Sequence, residues 1–334
     1  MSQPKFRDLP ASKPMFAVTG SSGFVGRHLV GYLRRQGHGV RCLSRQAAVP
    51  AATLAGIEHV QLRNYVDKQA LVTALQGCDV LVHLAARAHV LDERAVSPEQ
   101  AFREANLDTA VAAAQAAAEA GVPRVLMVSS IGVNGNRTFG RAFTANDSPA
   151  PSEPYAVSKW QAEQAMAGAL AGTRTDLVVL RPPLVYGADC PGNFRLLLKM
   201  VHKLPIVPLG ALRQPRSLIH VENLCDAIAL AALHPATAGR TFVLSDGADL
   251  SVAQLAVELC RGFGKQVGSV WAVPESLLRL LAMAAGKYPA IDKLAAGLTV
   301  DVSAFIAATG WQPPLTPAQG LEQTARAYLA LQAT

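Results

Sequence analysis

Met15-Phe16-Ala17-Val18-Thr19-Gly20-Ser21-Ser22-Gly23-Phe24-Val25-Gly26 is an apolar run that breaks into glycines spaced three residues apart. The run reads as a buried strand, and the periodic stretch Val25–Gln36 behind it reads as an amphipathic helix. A Gly-rich turn from strand to helix presents backbone N–H groups and a helix N-terminus, which together attract a pyrophosphate. The first glycine permits the tight turn, the second lets phosphate approach the backbone, and the third lets the helix pack closely. The spacing differs from G-x-G-x-x-G, so the flanking strand and helix carry the reading.

Outward from this turn, short apolar runs alternate with longer helical patterns, the signature of βαβ units and a parallel sheet. Strands are predicted at Phe16–Thr19, Val40–Leu43, Ile57–Leu62, Val80–Leu84, Val125–Ser129 and Leu177–Leu180. Between them fall helices around Val25–Gln36, Lys68–Leu75, Pro98–Ala120 and Tyr155–Ala171. Ligands of such sheets bind beyond the carboxyl ends of the strands. The polar residues Ser44-Arg45, Ala85-Ala86-Arg87 and Ser129-Ser130 stand at those ends.

After Tyr186-Gly187 the alternation stops. A Pro/Gly-rich stretch, Ala188–Asn193, leads into a helix, Phe194–Lys203, and the turn-rich Leu204–Pro215. A strand at Ser217–His220, a helix at Glu222–Leu233 and a strand at Thr241–Ser245 read as returning to the main lobe. Helices follow at Val252–Gly262 and Pro274–Ala285; the second is greasy, but interrupting charges favour packing inside a small C-terminal lobe. The expected organisation is an N-terminal extension (1–14), a doubly wound dinucleotide-binding domain (15–187) and a mainly substrate-binding α/β lobe (188–334), with 217–245 rejoining the first domain.

Tyr155 and Lys159 lie four residues apart on a helical pattern. They share a face, so the ammonium can hold the phenol poised for proton transfer. Beside a dinucleotide turn, this pair points to oxidoreduction at a carbon bearing oxygen.

Half of the 334 residues are hydrophobic and 16% are charged, with 31 Lys plus Arg against 24 Asp plus Glu. The basic residues are scattered and lack interleaved aromatics, which argues against nucleic acid. A modest positive excess suits small anionic ligands, and is equally compatible with no function at all. Five cysteines, far apart and without Cys-x-x-Cys, argue against a disulfide framework or metal site and for a reducing compartment. No apolar run approaches the ~20 residues that cross a bilayer, and residues 1–14 lack a signal-peptide core. A cytoplasmic protein without stable membrane insertion is expected.

The end of the second strand commonly separates the two nicotinamide coenzymes: an acidic residue meets a ribose 2′-hydroxyl, an Arg a 2′-phosphate. Here Val40-Arg41-Cys42-Leu43-Ser44-Arg45 carries no acid at its end. Ser44 and Arg45 fit a 2′-phosphate, which favours NADP(H), with NAD(H) the alternative.

Thr19–Gly26, Asp79-Val80-Leu81-Val82-His83-Leu84-Ala85-Ala86, Val128-Ser129-Ser130, Tyr155-x-x-x-Lys159, Arg181-Pro182-Pro183-Leu184-Val185-Tyr186-Gly187 and Arg216-Ser217-Leu218-Ile219-His220-Val221-Glu222-Asn223-Leu224 occur in this order. Together they resemble the extended short-chain dehydrogenase/reductases, the NAD-dependent epimerase/dehydratase family, over nearly the whole chain. The resemblance implies a Rossmann-type domain, a smaller C-terminal lobe and a nucleotide-sugar substrate. Asn223 departs from the family's usual Asp, and Asn64 stands where an Asp commonly meets the adenine.

Carried over by motif, the resemblance implies that Ser130 is the catalytic hydroxyl, with Ser129 the neighbouring alternative. Tyr155 would be the general acid/base, and Lys159 would hold the nicotinamide ribose. Coenzyme contacts are implied for Gly20, Ser22, Gly23, Phe24, Val25, Gly26, Arg45, Asn64, Tyr65, Leu84, Ala85, Ala86, Val128, Tyr155, Lys159 and Pro182. Arg216 would meet the sugar-nucleotide diphosphate, Asn193 would face the same ligand, and Arg87 and His89 would border the sugar pocket beside Ser130.

Asn134, where most epimerases carry Tyr, together with Leu84-Ala85-Ala86-Arg87-Ala88-His89-Val90 and Arg181-Pro182-Pro183-Leu184-Val185-Tyr186-Gly187, resembles a narrower branch that includes 4-ketoreductases forming UDP-N-acetylquinovosamine for surface polysaccharides. That branch implies NAD(P)H-dependent reduction at C4 of UDP-2-acetamido-2,6-dideoxy-xylo-hexulose. A UDP-hexose 4-epimerase acting on UDP-glucose or UDP-N-acetylglucosamine is the alternative, and a non-catalytic nucleotide-binding protein the third reading. Relatives pair through two long helices, here 98–120 and 155–171, so a homodimer with a four-helix interface is implied.

Overall fold

The computed structural model describes residues 13–45, 57–87, 98–284 and 295–333. Seven strands form one sheet: β1 (Met15–Thr19), β2 (Gly39–Ser44), β3 (Ile57–Gln61), β4 (Val80–His83), β5 (Arg124–Val128), β6 (Asp176–Arg181) and β10 (Thr241–Val243). Their spatial order is β10-β6-β5-β4-β1-β2-β3, and every pairing is parallel. The chain order reverses between β1 and β4, which opens a crevice at their carboxyl ends. A Rossmann-type doubly wound α/β sheet is therefore observed, as the alternation predicted.

Both faces are covered, which is why the central strands carry continuous apolar runs rather than alternating. Helices α1 (Phe24–Arg35) and α7 (Val221–Leu233) cover one face, with Leu29 and Leu33 packed among Leu224, Cys225 and Ile228. The other face is covered by α2 (Lys68–Leu75), α4 (Thr109–Glu119) and α5 (Pro154–Leu170). Alanines 110, 113, 114, 116 and 117 of α4 are buried there, small enough for close approach to its neighbours.

The helix predicted over Pro98–Ala120 is not continuous. It comprises α3 (Pro98–Phe102), a π-helical segment (Arg103–Asp108) and then α4. The wide turn holds Asn106 inside the molecule at 1% exposure. Its Oδ1 accepts the Arg87 N–H at 2.7 Å, and its Nδ2 donates to Ser158 Oγ at 2.8 Å. Such bulges recur where a side chain must be aimed at a site.

The smaller lobe has its own core, formed by α6 (Asn193–Lys203), α8 (Val252–Gly262) and helix Pro317–Ala333 around Phe194, Leu198, Leu255, Leu259, Leu321 and Tyr328. Ser251 and Gln254 close α8 with a reciprocal capping box. Side chains between Ile219 and Leu244 pack with the first core, and so do Val302, Phe305 and Trp311 near the C-terminus. The predicted strand at Ser217–His220 is β9 (Leu218–His220), which pairs with β7 (Leu184–Tyr186), and a separate short strand before it, β8 (Pro215–Arg216), pairs with β11 (Leu250–Ser251). Helix α9 (Glu275–Ala284) is less embedded than expected: Leu278 is buried, whereas Leu280 and Met283 are each 61% exposed. No helix among the described residues is long and apolar enough to cross a membrane.

Asn223 explains its own departure from Asp. It is fully buried, donates to Asp246 Oδ1 at 2.7 Å and exchanges hydrogen bonds with Leu315. Burial pushes the Asp246 carboxyl up to about 6. A second carboxylate at position 223 would repel it, whereas the amide donates to it.

Gly26 is held against the turn so closely that a Cβ would lie 2.2 Å from the Gly20 carbonyl oxygen. Gly26→Ala is expected to cost about 1–3 kcal/mol through forced overpacking and to abolish dinucleotide binding. Thermal melts with and without coenzyme check this, and an unchanged midpoint with coenzyme protection retained would contradict it.

Candidate active site

At the glycine turn the backbone is folded back on itself: the Gly23 N–H donates to the Gly20 carbonyl at 3.0 Å, and Gly20 has φ +69°. A Cβ on Gly20 would sit 2.8 Å from the Ala85 amide nitrogen, so the turn rests directly on the loop after β4. The resulting cradle is backbone-lined and free of side chains at Gly20, Gly23 and Gly26, the shape that a dinucleotide pyrophosphate requires. Ser22 is exposed on its rim, and its carbonyl accepts Arg27 Nη1 at 2.8 Å. The Phe24 ring packs edge-on against His28, 5.4 Å between centroids, and Val25 is half-buried beside it.

The two residues expected at the adenine are engaged locally. Tyr65 receives the Gly20 N–H at 3.3 Å and donates its hydroxyl to the Leu43 carbonyl at 2.8 Å, tying β2 to the turn. Asn64 Oδ1 accepts the N–H groups of Val66 and Asp67 at 3.2 and 2.8 Å, so its carbonyl closes the turn before α2. Arg45 is exposed at the carboxyl end of β2, near enough to Tyr65 to act on its ionisation. Leu84 and Val128 are half-buried at their strand ends, Ala85 and Pro182 are buried, and Ala86 is exposed.

Ser130 and α5 converge at the end of β5. Ser130 caps the 3₁₀ turn Ile131–Val133, and its Oγ accepts the Gly132 N–H at 3.1 Å, which leaves its proton to donate elsewhere. A Cβ on Gly132 would meet the Ala156 Cβ at 3.2 Å, so this loop lies against the first turn of α5, next to Tyr155. Pro154 starts that helix, its fixed φ suiting the first turn. Ser129 is oriented differently: its hydroxyl donates to the Glu163 carboxylate. Between the two serines, the geometry leaves Ser130 as the one with an uncommitted proton.

The Tyr155 ring packs near Phe102, centroids 6.3 Å apart, and burial pushes its phenol up to about 12. Lys159 is only 2% exposed; burial lowers its ammonium to about 8, partly opposed by the Glu163 carboxylate. Desolvation therefore dominates at both groups, raising the phenol and lowering the ammonium.

Three residues of this centre were missed from the sequence. Asn106 falls on the buried stripe with Ala110, Ala113 and Ala117, and a lone amide on such a stripe was the available signal. His83 ends a wholly apolar strand; its Nδ1 lies 3.1 Å from Thr19 Oγ, which also accepts the Ala85 N–H. Burial and the neighbouring Lys159 depress His83 to about 3, and its Nε2 is buried without a hydrogen-bond partner. Glu163, four residues after Lys159, pairs with Arg181 at 2.6 Å.

The residues expected around the sugar are more dispersed. Arg87 is half-buried, its backbone clamped by Asn106, whereas His89 lies outside the described residues. Asn193 is exposed at the start of α6, directly after Gly192 with φ +75°. Arg216 Nη1 donates to the Ala296 carbonyl at 2.6 Å, and burial lowers its pKa. Asn134, which narrowed the resemblance, is 2% exposed and bonds Arg181 and the Thr144 carbonyl. It braces the loop after Ser130.

The sequence profile of the NAD dependent epimerase/dehydratase family matches residues 16–245. The chain belongs to this family. It is 34% identical over 327 residues to a UDP-glucose 4-epimerase of Vibrio cholerae, covering 97% of each chain. It is 27% identical over 324 residues to the N-acetyl-alpha-D-glucosaminyl-diphospho-ditrans,octacis-undecaprenol 4-epimerase of Escherichia coli O157:H7, covering 92% of this chain and 93% of the relative. The structure of DesIV, a dTDP-glucose 4,6-dehydratase of Streptomyces venezuelae with NAD and TYD bound, superposes with a TM-score of 0.75 at 24% identity over 96% of this chain and 98% of that one. As a family member the chain is a nicotinamide-dependent enzyme of nucleotide-sugar epimerase/dehydratase type.

Two buried histidines give this family member a characteristic acid response. Burial depresses His83 to about 3 and His220 to about 4, both below their ordinary 6.5. The unfolded chain therefore binds protons near pH 6.5 that the native state refuses, and stability falls as pH drops from there. His28 has the opposite sign: hydrogen bonding to Glu222 raises it despite opposing burial, so its contribution is lost as pH rises through its folded pKa. Urea midpoints measured from pH 7 to pH 4 should fall less steeply for His83→Gln than for the wild type, by about one proton's worth of slope.

Proposed function

We propose that this chain is a C4 nucleotide-sugar oxidoreductase that reduces the ketone of UDP-2-acetamido-2,6-dideoxy-xylo-hexulose to UDP-N-acetylquinovosamine, with NADP(H) as coenzyme. The observation that carries this reading is the convergence of the Ser130 loop on the first turn of α5, where a Cβ on Gly132 would lie 3.2 Å from the Ala156 Cβ, next to Tyr155. Reduction of a ketone needs a proton donor at the developing alkoxide, and a neutral phenol is one.

Gly20, Gly23 and Gly26 would hold the coenzyme diphosphate, and Arg45 its 2′-phosphate, since the chain has no acid from Ser44 to Ile57. When bound, the nicotinamide supplies hydride. Tyr155 donates the proton to the C4 oxygen, and Ser130 donates a hydrogen bond to the same oxygen. The Lys159 ammonium lies one turn along on the same face and supports that transfer. In the smaller lobe, Arg216 would meet the diphosphate of the sugar nucleotide, with Asn193 at its flank. The homodimer through helices 98–120 and 155–171 belongs to the same reading.

A UDP-hexose 4-epimerase is the second reading, favoured by the names of the Vibrio cholerae and Escherichia coli relatives. It would use Ser130, Tyr155 and Lys159 but return the hydride each turn, so it consumes no coenzyme. Adding the keto sugar to the enzyme with NADPH is expected to oxidise one NADPH per product, with little interconversion of UDP-glucose and UDP-galactose. Equilibration of UDP-hexoses at C4 without added coenzyme, and an untouched keto sugar, would establish the epimerase instead. Tyr155→Phe should retain coenzyme binding while turnover falls by about 10²–10⁴-fold.

Coenzyme choice has its own test. Arg45→Ala should weaken NADPH at least tenfold more than NADH in equilibrium titrations, because only NADPH loses a charge-assisted contact of about 1.5–3 kcal/mol. Equal losses would make Arg45 a surface residue.

A further inference from the structure

We propose that Glu163 is a positioning residue for Tyr155 and Lys159: bonded at once to the ends of β5 and β6, its carboxylate fixes helix α5 against the loop that carries Ser130. The proposal deepens the C4 oxidoreductase reading and rests on it. Tyr155, Lys159 and Glu163 occupy i, i+4 and i+8, one continuous face of α5. Glu163 Oε1 accepts the Ser129 hydroxyl and Arg181 Nε, the latter at 3.0 Å, while Oε2 accepts Arg181 Nη2 at 2.6 Å.

Each partner reaches onward into the serine loop. Arg181 Nη1 donates to Asn134 Oδ1 at 3.0 Å, and Asn134 Nδ2 donates to the Thr144 carbonyl at 2.8 Å. The guanidinium carbon lies 5.6 Å from the Trp160 ring centroid, so α5 holds Arg181 from two sides. The Ser129 N–H donates to the Leu180 carbonyl at 2.7 Å, and the Ile131 N–H to the Pro182 carbonyl at 2.9 Å. Ser130 is thereby flanked on both sides by residues tied to β6, and β6 is tied to α5 through one carboxylate. Ser129, Asn134 and Glu163 are 4%, 2% and 5% exposed, and Arg181 is 3% exposed, so water does not compete for these bonds. A buried ion cannot slide without losing its partner, which converts the network into a fixed register.

Glu163 also acts on charge. Among the described residues, Lys159 interacts with the Glu163 carboxylate on its own helix and with His83 from β4, Tyr155 lies one turn before it on the same helical face, and Glu163 pairs with Arg181 from β6. Of these, Glu163 is the one that favours the Lys159 ammonium, against burial. Removing its charge moves deprotonation of Lys159 to lower pH.

Glu163→Gln, assayed with the keto sugar and with UDP-glucose, is expected to lower kcat by about 10- to 100-fold, with KM and the NADPH Kd at pH 7 within threefold of wild type. Its high-pH limb of kcat should begin at lower pH, and so should the weakening of NADPH binding read by fluorescence. Ser129→Ala, which leaves the ion pair intact, should lower kcat about tenfold, and Ser129→Thr should restore it. A folded Glu163→Gln enzyme with wild-type kcat and pH limb overturns the proposal. If Glu163→Gln does not fold, wild-type kcat in Ser129→Ala overturns it instead. A loss of 10³-fold or more in Ser129→Ala also overturns it, because Ser129 would then be the reacting hydroxyl. If the wild type turns over neither substrate, the C4 reading has failed, and the pH dependence of NADPH binding in Glu163→Gln decides the positioning role alone.

Discussion

Glu163 and Arg181 meet at 2.6 Å with side-chain exposures of 5% and 4%, and three elements take their relative places from that contact. Two desolvated ions gain little net stability from each other, because each gives up its hydration, yet removing one partner leaves a charge stranded at a cost of about 3–5 kcal/mol. The pair therefore acts less as a source of stability than as a constraint on arrangement. It joins α5 to β6, and through Ser129 and Asn134 it joins both to the loop after β5. A catalytic hydroxyl on one element and a phenol on another need that kind of constraint, since small displacements at a reacting centre are costly.

A second constraint is steric. The Gly20–Gly26 turn rests on the Ala85 backbone, with no room for a Cβ at Gly20 or Gly26. The backbone of the glycine turn thus sits over the switch point between β1 and β4, where the sheet opens. His83 and Asn106 stand under the same opening, one neutral through burial and the other aimed by a π-helical turn. Polar groups buried this close to a ligand crevice order the strand ends around it, since each must find a partner or remain uncompensated.

Much of this was legible in the chain. Apolar runs of strand length fixed a parallel sheet because both faces are covered by helices, and the spacing of Tyr155 and Lys159 fixed their shared face. The glycines of the turn were legible because only glycine tolerates the contacts made there. Less legible were the short strands β7, β8, β9 and β11, two or three residues long, whose pairing depends on neighbours distant in sequence. The break at Arg103–Asp108 was invisible because a helical period continues on both sides of it.

By itself the sequence determined the Rossmann-type order, the membership of the NAD dependent epimerase/dehydratase family and the residues competent for proton transfer, since these follow from local periodicity and motif chemistry. Tertiary structure alone decided which serine donates to Glu163, that Asn134 braces a loop, that Tyr65 seals the glycine turn, and that Glu163 pairs with Arg181. The physical reason is common to all four. Hydrogen-bond partners and desolvation are set by residues tens to hundreds of positions apart, and no local pattern records how a chain will bring them together.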